Sequence, residues 1–482
     1  MSDSINRKVT NATKWSALTE IFAKLLTPVS TMILARILAP DAFGVLVAVT
    51  MVITFAEIFT DAGFLKYLIQ QNFESEDALH KSTAVAFWTN LSFSLLIWGV
   101  IVLFSKYIAH QVGVDGYEFV ISVSCVCIPL VAFSSIQMAL FRRSLDFKTL
   151  FWVRLVGILI QLFVTIPLAF LTHSYWALVI GMIALELSNA VLLTIRSEWK
   201  PRWFFDVALF KGMFSFSAWS MIEAVSIWLT NYLDVFIVGS VLSTYYMGIY
   251  RTSINTVGQI MALVTATTTP VLFSALSRLQ DDRTEFRRMF FTFQKTVGML
   301  VIPFGVGIFL FSDLITSVLL GDQWMEASFF IGWWGLTSSV TIVLSHYCSE
   351  VYRAYGKPKL SVLVQFLHLV VLIPVVLYTV RLGFDTLCVS RALIRFQMIA
   401  VNLAVLYWLT KITPAEMFRN ICAPLLAAVA MVVVFAFMPE NCEWGMQICF
   451  AVVCMLAYVV VILLFPAERS ILFNLSRMIR TR

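Results

Sequence analysis

Charge is what this chain lacks: only 13% of its 482 residues are Asp, Glu, Lys or Arg, against 60% hydrophobic residues. With a mean hydropathy of +0.88, it has too little polar surface to wrap a water-soluble globule of this length. Long polar stretches are missing as well. The longest loop between apolar runs is about 15 residues, which leaves no room for a soluble catalytic domain on either side of a membrane. No Gly-x4-Gly-Lys-Ser/Thr, His-Glu-x2-His or Gly-x-Ser-x-Gly string occurs. ATP hydrolysis and zinc chemistry are therefore not expected, and the chain reads as a non-enzyme without cofactor or metal. The polar N-terminus has no short apolar stretch ending in a small-residue cleavage site, so the first helix is expected to act as an uncleaved insertion signal. Most of the eight cysteines, such as Cys125, Cys127, Cys348, Cys388 and Cys454, lie in apolar runs and read as small hydrophobes. Only Cys442, expected on the oxidising side, has a candidate disulfide partner, Cys449.

What is present is a succession of apolar runs of about 20 residues, long enough to cross ~30 Å of hydrocarbon as helices. β-Barrel strands would be half as long and would alternate. Fourteen runs follow one another, from Trp15–Leu38 and Phe43–Leu65 through Met213–Val238 and Met247–Phe273 to Ile421–Met438 and Met446–Phe465. The expected fold is an all-α polytopic membrane protein of about 14 transmembrane helices. An even number puts both termini on one side. Of the 34 Lys and Arg residues, 27 then fall in segments on the side of the termini, three (Arg36, Lys106, Arg381) on the other, and four inside spans. By the positive-inside rule both termini are cytoplasmic, and the net charge of +6 is a topology signal with no nucleic-acid role.

An internal repeat appears at an offset of 204 residues. Trp15-Ser16 falls on Trp219-Ser220, Ile37-Leu38 on Val241-Leu242, and Gly44 on Gly248. The copies are six spans apart and so share one orientation, an arrangement suited to alternating access to a site between halves. The expected organisation is a six-helix lobe over 1–211, a second over 212–410, and two further helices with a basic tail over 411–482.

Several spans carry a polar stripe at intervals of three and four residues, which places each stripe on one helix face. The first span has Glu20, Lys24, Thr27 and Thr31, and the second has Thr50, Thr54, Glu57 and Asp61. The eighth offers Arg251, Asn255 and Gln259, the tenth His346, Glu350 and Arg353, the eleventh Ser361, Gln365 and His368, and the twelfth Arg391, Arg395, Met398 and Asn402. Lipid cannot satisfy such faces, so they are expected to line protein or water. Pairing within a helix, Glu20 with Lys24 or Glu350 with Arg353, would make some of them purely structural. Lys24, Arg251, Arg391 and Arg395 sit deep in spans, where each cation costs ~2.5–3.5 kcal/mol on insertion scales. They call for an anionic partner, and the arginine fork suits a phosphate. Lys24, Arg251, Arg391, Arg395, Asn255 and Gln259 are therefore the candidate substrate-binding residues. Glu57, Asp61, Asp234 and Glu350 are candidates for ion coupling, Asp234 with Asn231 three residues before it. His346 and His368 read as packing residues or proton relays.

Several strings resemble the polysaccharide transporter family, the Wzx-type flippases of O-antigen and exopolysaccharide, whose larger group also holds multidrug extruders and the lipid II flippase. They are Leu38-Ala39-Pro40-Asp41-Ala42-Phe43-Gly44, Asp61-Ala62-Gly63 running to Leu68-Ile69-Gln70, and Phe141-Arg142-Arg143-Ser144-Leu145-Asp146-Phe147-Lys148. In the second half they are Asn231 with Asp234, Gly239, Leu242, Gly248 and Tyr250, then Gly321 with Trp324, and Ala354-Tyr355-Gly356-Lys357-Pro358. The Phe-Arg-Arg to Phe-Lys string looks most like the colanic-acid exporter branch, whereas Ser243 stands where many relatives have glycine. The resemblance implies two six-helix lobes around a cationic cavity that passes an undecaprenyl-pyrophosphate-linked oligosaccharide outward across the bacterial inner membrane. It implies that Lys24 and Arg251 meet the phosphate region and that the last two spans help hold the lipid tail. Membrane lipid, glycan polymerase and glycosyltransferases are the implied partners.

Two other readings compete. A cation-coupled drug extruder would hold cationic substrates through Glu57, Asp61 and Asp234, against which the buried cations weigh. A membrane-embedded glycan polymerase or ligase is expected to carry a large outer loop, and none is present.

Overall fold

The computed structural model describes residues 2–61, 64–71, 73–279, 282–357, 359–439 and 442–471. Ala62, Gly63, Pro358 and the basic tail residues Arg477, Arg480 and Arg482 lie outside them. The described residues are almost entirely helical and contain no strand, as expected where every backbone polar group must be satisfied within its own segment. All fourteen expected segments coincide with helix. Twelve helices among the described residues are long and apolar enough to cross a membrane, and Pro414–Asn420 with Cys422–Phe435, bent by 53°, makes a thirteenth. The fourteenth expected span is the 35-residue helix Thr244–Arg278. Arg251, Asn255, Gln259 and a run of threonines keep its apolar content low.

Five helix starts are capped by side chains: Ser75, Asp146, Asp206, Asp282 and Thr413 each accept a backbone N–H of the first turn. Such caps satisfy donors that the helix itself leaves orphaned. Each capped helix occupies an odd place in the order of spans, so all five caps belong to one membrane face, the face rich in Lys and Arg.

The chain divides into two compact units, Met1–Ile249 and Tyr250–Arg482. In the first, Phe147–Thr172 packs along Trp176–Arg196 and against Ser2–Ile37, while Cys127–Arg143 packs on Trp176–Arg196 and Glu76–Leu103. Small residues allow these approaches: a Cβ on Gly181 would fall 1.8 Å from the Thr165 hydroxyl. The glycines matched by the repeat also meet here. A Cβ on Gly44 would lie 1.9 Å from the Thr244 carbonyl oxygen, and one on Gly248 would lie 2.1 Å from that of Pro40. Only glycine permits this crossing, in which the starts of Pro40–Asp61 and Thr244–Arg278 touch backbone to backbone.

In the second unit Arg283–Leu310 packs on Ser328–Thr341 and Cys422–Phe435, and the last of these packs on Trp444–Leu463. Tyr458 donates to the Met299 carbonyl at 3.0 Å and Lys295 pairs with Glu468 at 2.9 Å, fastening the final helices to Arg283–Leu310. Two irregular turns interrupt spans of this unit: a π-helical turn at Ile342–His346, and a break at Ile394 between Phe384–Leu393 and Arg395–Thr410. All eight cysteines are free, so Cys442 and Cys449 are not bridged.

Candidate functional site

Around Trp334 the second unit brings together two of the expected cations. Phe384–Leu393 ends in Arg391, and Arg395 opens the next helix one turn further on. Both guanidinium groups lie over the Trp334 ring, their central carbons 5.0 and 4.1 Å from its centroid. Cation–π attraction holds each there, worth ~2 kcal/mol where water is excluded. The Arg391 Nε donates to the Tyr250 hydroxyl at 3.1 Å. Tyr250 is fully buried and stacks on Phe330, ring centroids 5.1 Å apart and planes 12° apart. The Arg395 Nη1 donates to Ser338 Oγ at 2.6 Å and to Thr337 Oγ1 at 3.5 Å. Trp334, Thr337 and Ser338, spaced by three and four residues, form one face of Ser328–Thr341.

The electrostatic consequence follows from the partners. Arg395 is half-buried, and among the described residues it forms no ion pair, only hydroxyl and ring contacts. Its planar fork is held in place while its charge stays available, an arrangement that fits a doubly charged phosphate better than a carboxylate already in place.

The other expected residues are distributed elsewhere. Arg251 is half-buried and follows Tyr250 directly on Thr244–Arg278, with exposed Asn255 and half-buried Gln259 four and eight residues on. Adjacent helical positions diverge by about 100°, so this trio occupies a different face from Tyr250. Lys24 lies 3.7 Å from Glu20 on the first helix, with both side chains well exposed. Glu350 is buried and pairs with the exposed Arg353 at 3.2 Å. These two contacts are the intrahelical pairs that would make such residues structural. Asp234 is buried and its Oδ1 accepts the Val235 N–H at 2.8 Å, whereas Glu57 is half-buried on Pro40–Asp61. Asp61 closes that helix, and its side chain lies outside the described set. His346 reaches Thr269 at 3.4 Å and His368 reaches Gln397 at 3.0 Å, both packing contacts. The first unit also holds an apolar cavity of about 770 Å³ walled by Met51, Phe55, Phe93 and Trp228. None of the expected site residues lines it.

Sequence reading missed Trp334, Thr337 and Ser338. The available signal was the pairing of an aromatic with hydroxyls at helical spacing in the tenth span.

Spans in this number, together with a charged cluster buried among them, define a multi-pass membrane protein with an interior polar site. The model of one family, described as "Polysaccharide biosynthesis protein", matches residues 33–329. The chain belongs to that family. Its relatives include an uncharacterized membrane protein in the cps region of Klebsiella pneumoniae, 24% identical over 379 residues that cover 78% of this chain and 77% of that one. Another is the succinoglycan biosynthesis transport protein ExoT of Rhizobium meliloti (strain 1021), 23% identical over 329 residues, 68% of this chain and 66% of that one. Among solved structures, the lipid II flippase MurJ in an inward closed conformation superposes with a TM-score of 0.73 at 14% identity, covering 94% of this chain and 98% of that one. That likeness establishes a shared fold.

Proposed function

We propose that this protein is a flippase that carries a polyprenyl-pyrophosphate-linked oligosaccharide across the bacterial inner membrane, presenting the headgroup first to one side and then to the other. The observation that carries the reading is the Arg391–Arg395 pair over Trp334, with Arg395 held by hydroxyls and a ring. A buried cation of that kind is costly unless an anion visits it. Membership of a polysaccharide biosynthesis family supports a sugar-linked cargo, and a relative named as a transport protein supports movement over synthesis. Lys24, Arg251, Asn255 and Gln259 are proposed to complete the path of the headgroup. Asp234 and Glu350, the buried carboxylates of the set, are the proposed coupling positions, with Glu57 and Asp61 beside them. Both termini are placed in the cytoplasm, with the glycosyltransferases and polymerase of the same pathway as partners. No catalytic step is assigned to the chain.

The test is complementation of a strain lacking the protein. Arg391→Gln/Arg395→Gln at wild-type abundance should lower surface polymer at least ~10-fold while lipid-linked repeat units accumulate. Unchanged surface polymer in that double variant would refute the assignment.

A further inference from the structure

A second binding site lies in the first unit, on the membrane face rich in Lys and Arg. Residues 197–206 form a strap across the starts of neighbouring helices. Trp199 is its anchor, buried at 5% exposure in the cluster around Phe87, Ile136 and Met213. The Trp88 Nε1 pins the strap by donating to the Arg202 carbonyl at 2.9 Å, and the Trp88 and Trp203 rings lie 4.7 Å apart. Between strap and helix Glu76–Leu103 is a cavity of about 300 Å³, walled by Trp88, Phe93, Trp203 and Phe205, with Thr89 and Ser92 as its polar members. This is the lower end of ligand-pocket size.

An aromatic belt at a membrane surface needs no ligand to explain it. Thr89 does. It is 94% buried (6% exposed), and its hydroxyl has no hydrogen-bond partner among the described residues. An unmade bond there costs about 1–3 kcal/mol. Ordered water needs two to four polar partners, and the walls are rings. A single acceptor on an otherwise apolar molecule, such as an ester carbonyl, satisfies the hydroxyl with one bond. Thr89 lies eight residues beyond Lys81, about 12 Å along the helix, close to the depth of glycerol esters. Charge selects the headgroup: Arg196, Lys200, Arg202 and Lys211 gather along the strap against Glu198 and Asp206, and Asp206 is engaged as the cap of Val207–Val241.

We propose that this pocket binds one anionic glycerophospholipid of the surrounding bilayer, with an ester carbonyl accepting from Thr89, the upper acyl segment among the rings and the phosphate at Arg202. The site is separate from the cation pair over Trp334 and stands independently of the transport reading.

The experiment is native mass spectrometry of the full chain in non-ionic detergent, titrated with phosphatidylglycerol or phosphatidylcholine. Wild type should bind a first phosphatidylglycerol more tightly than phosphatidylcholine. Thr89→Val, which keeps the shape and removes the donor, should weaken that first binding about fivefold, and Arg202→Gln by a similar factor. Lipid-free melting of both variants should match wild type, since neither substitution removes a contact within the fold. Equal affinity for the two lipids would overturn the site. So would loss in Arg202→Gln with none in Thr89→Val, which would reduce it to surface charge.

Discussion

The guanidinium carbon of Arg395 lies 4.1 Å from the centroid of the Trp334 ring, while its Nη1 donates to Ser338 Oγ at 2.6 Å. The ring and the hydroxyl fix the direction of the fork without cancelling its charge. Preorganisation of this kind turns the energy spent on burying a cation into selectivity for an anion, because the orientation is set before the anion arrives.

Arg395→Lys keeps the charge and loses the planar fork, so it should retain part of the wild-type transport, above Arg395→Gln and below arginine. Surface polymer measured at matched protein abundance reads the order directly. Lysine and glutamine behaving alike would make the fork, and not the charge, decisive.

Gly44 and Gly248 meet backbone rather than flexible side chains, so neither neighbour can move aside. Gly44→Ala or Gly248→Ala should destabilise by ~1–3 kcal/mol or more through overpacking. Gly258→Ala, with nothing within 4 Å of the added methyl, should be silent. Fluorescence-detected gel filtration of tagged protein separates the two cases, and full folded yield of Gly44→Ala would show that the crossing tolerates expansion.

These glycines also mark how far the sequence could be read. Span positions were legible because lipid imposes a length and an apolar composition that few other constraints disturb. The repeat was legible because Gly44 and Gly248 occupy equivalent crossings. The fates of the cations were not, because they depend on which helix lies opposite. Lys24 and Arg395 look alike as cations in apolar runs, yet one lies beside Glu20 and the other faces Trp334 and Ser338. The π-helical turn at Ile342–His346 and the break at Ile394 shift which side chains share a face, and strict 3.6-residue spacing does not anticipate either.

Arg143, in the string that resembles the exporter branch, has a structural task. Its Nη1 donates to the carbonyls of Leu68 and Gln71 at 2.8 and 2.7 Å, closing the end of the short helix Phe64–Gln70, and its guanidinium lies 4.9 Å from the Phe73 ring. Arg143→Ala should cost ~1.5–3 kcal/mol and raise amide exchange across residues 64–70. The exposed Arg142→Ala should change neither. Equal protection of residues 64–70 in both variants would contradict this role.

Lys295 and Glu468 form a pair at 2.9 Å with side chains only 20% and 7% exposed. Removing one partner leaves a buried charge, at a cost of ~3–5 kcal/mol. Glu468→Gln should therefore melt well below wild type, and the exchange Lys295→Glu/Glu468→Lys should recover most of the loss. A swap no more stable than the single variant would show that the two groups do not act as a pair.

The central claim is that the cation pair over Trp334 receives a lipid diphosphate. Binding of radiolabelled farnesyl diphosphate to the purified full chain, with farnesol as competitor control, measures this without the rest of the pathway. Wild type should bind the diphosphate and ignore the alcohol, and Arg391→Gln/Arg395→Gln should weaken binding ~100-fold or more, as two charge-assisted contacts of ~1.5–3 kcal/mol each require. Equal affinity in wild type and the double variant would contradict it.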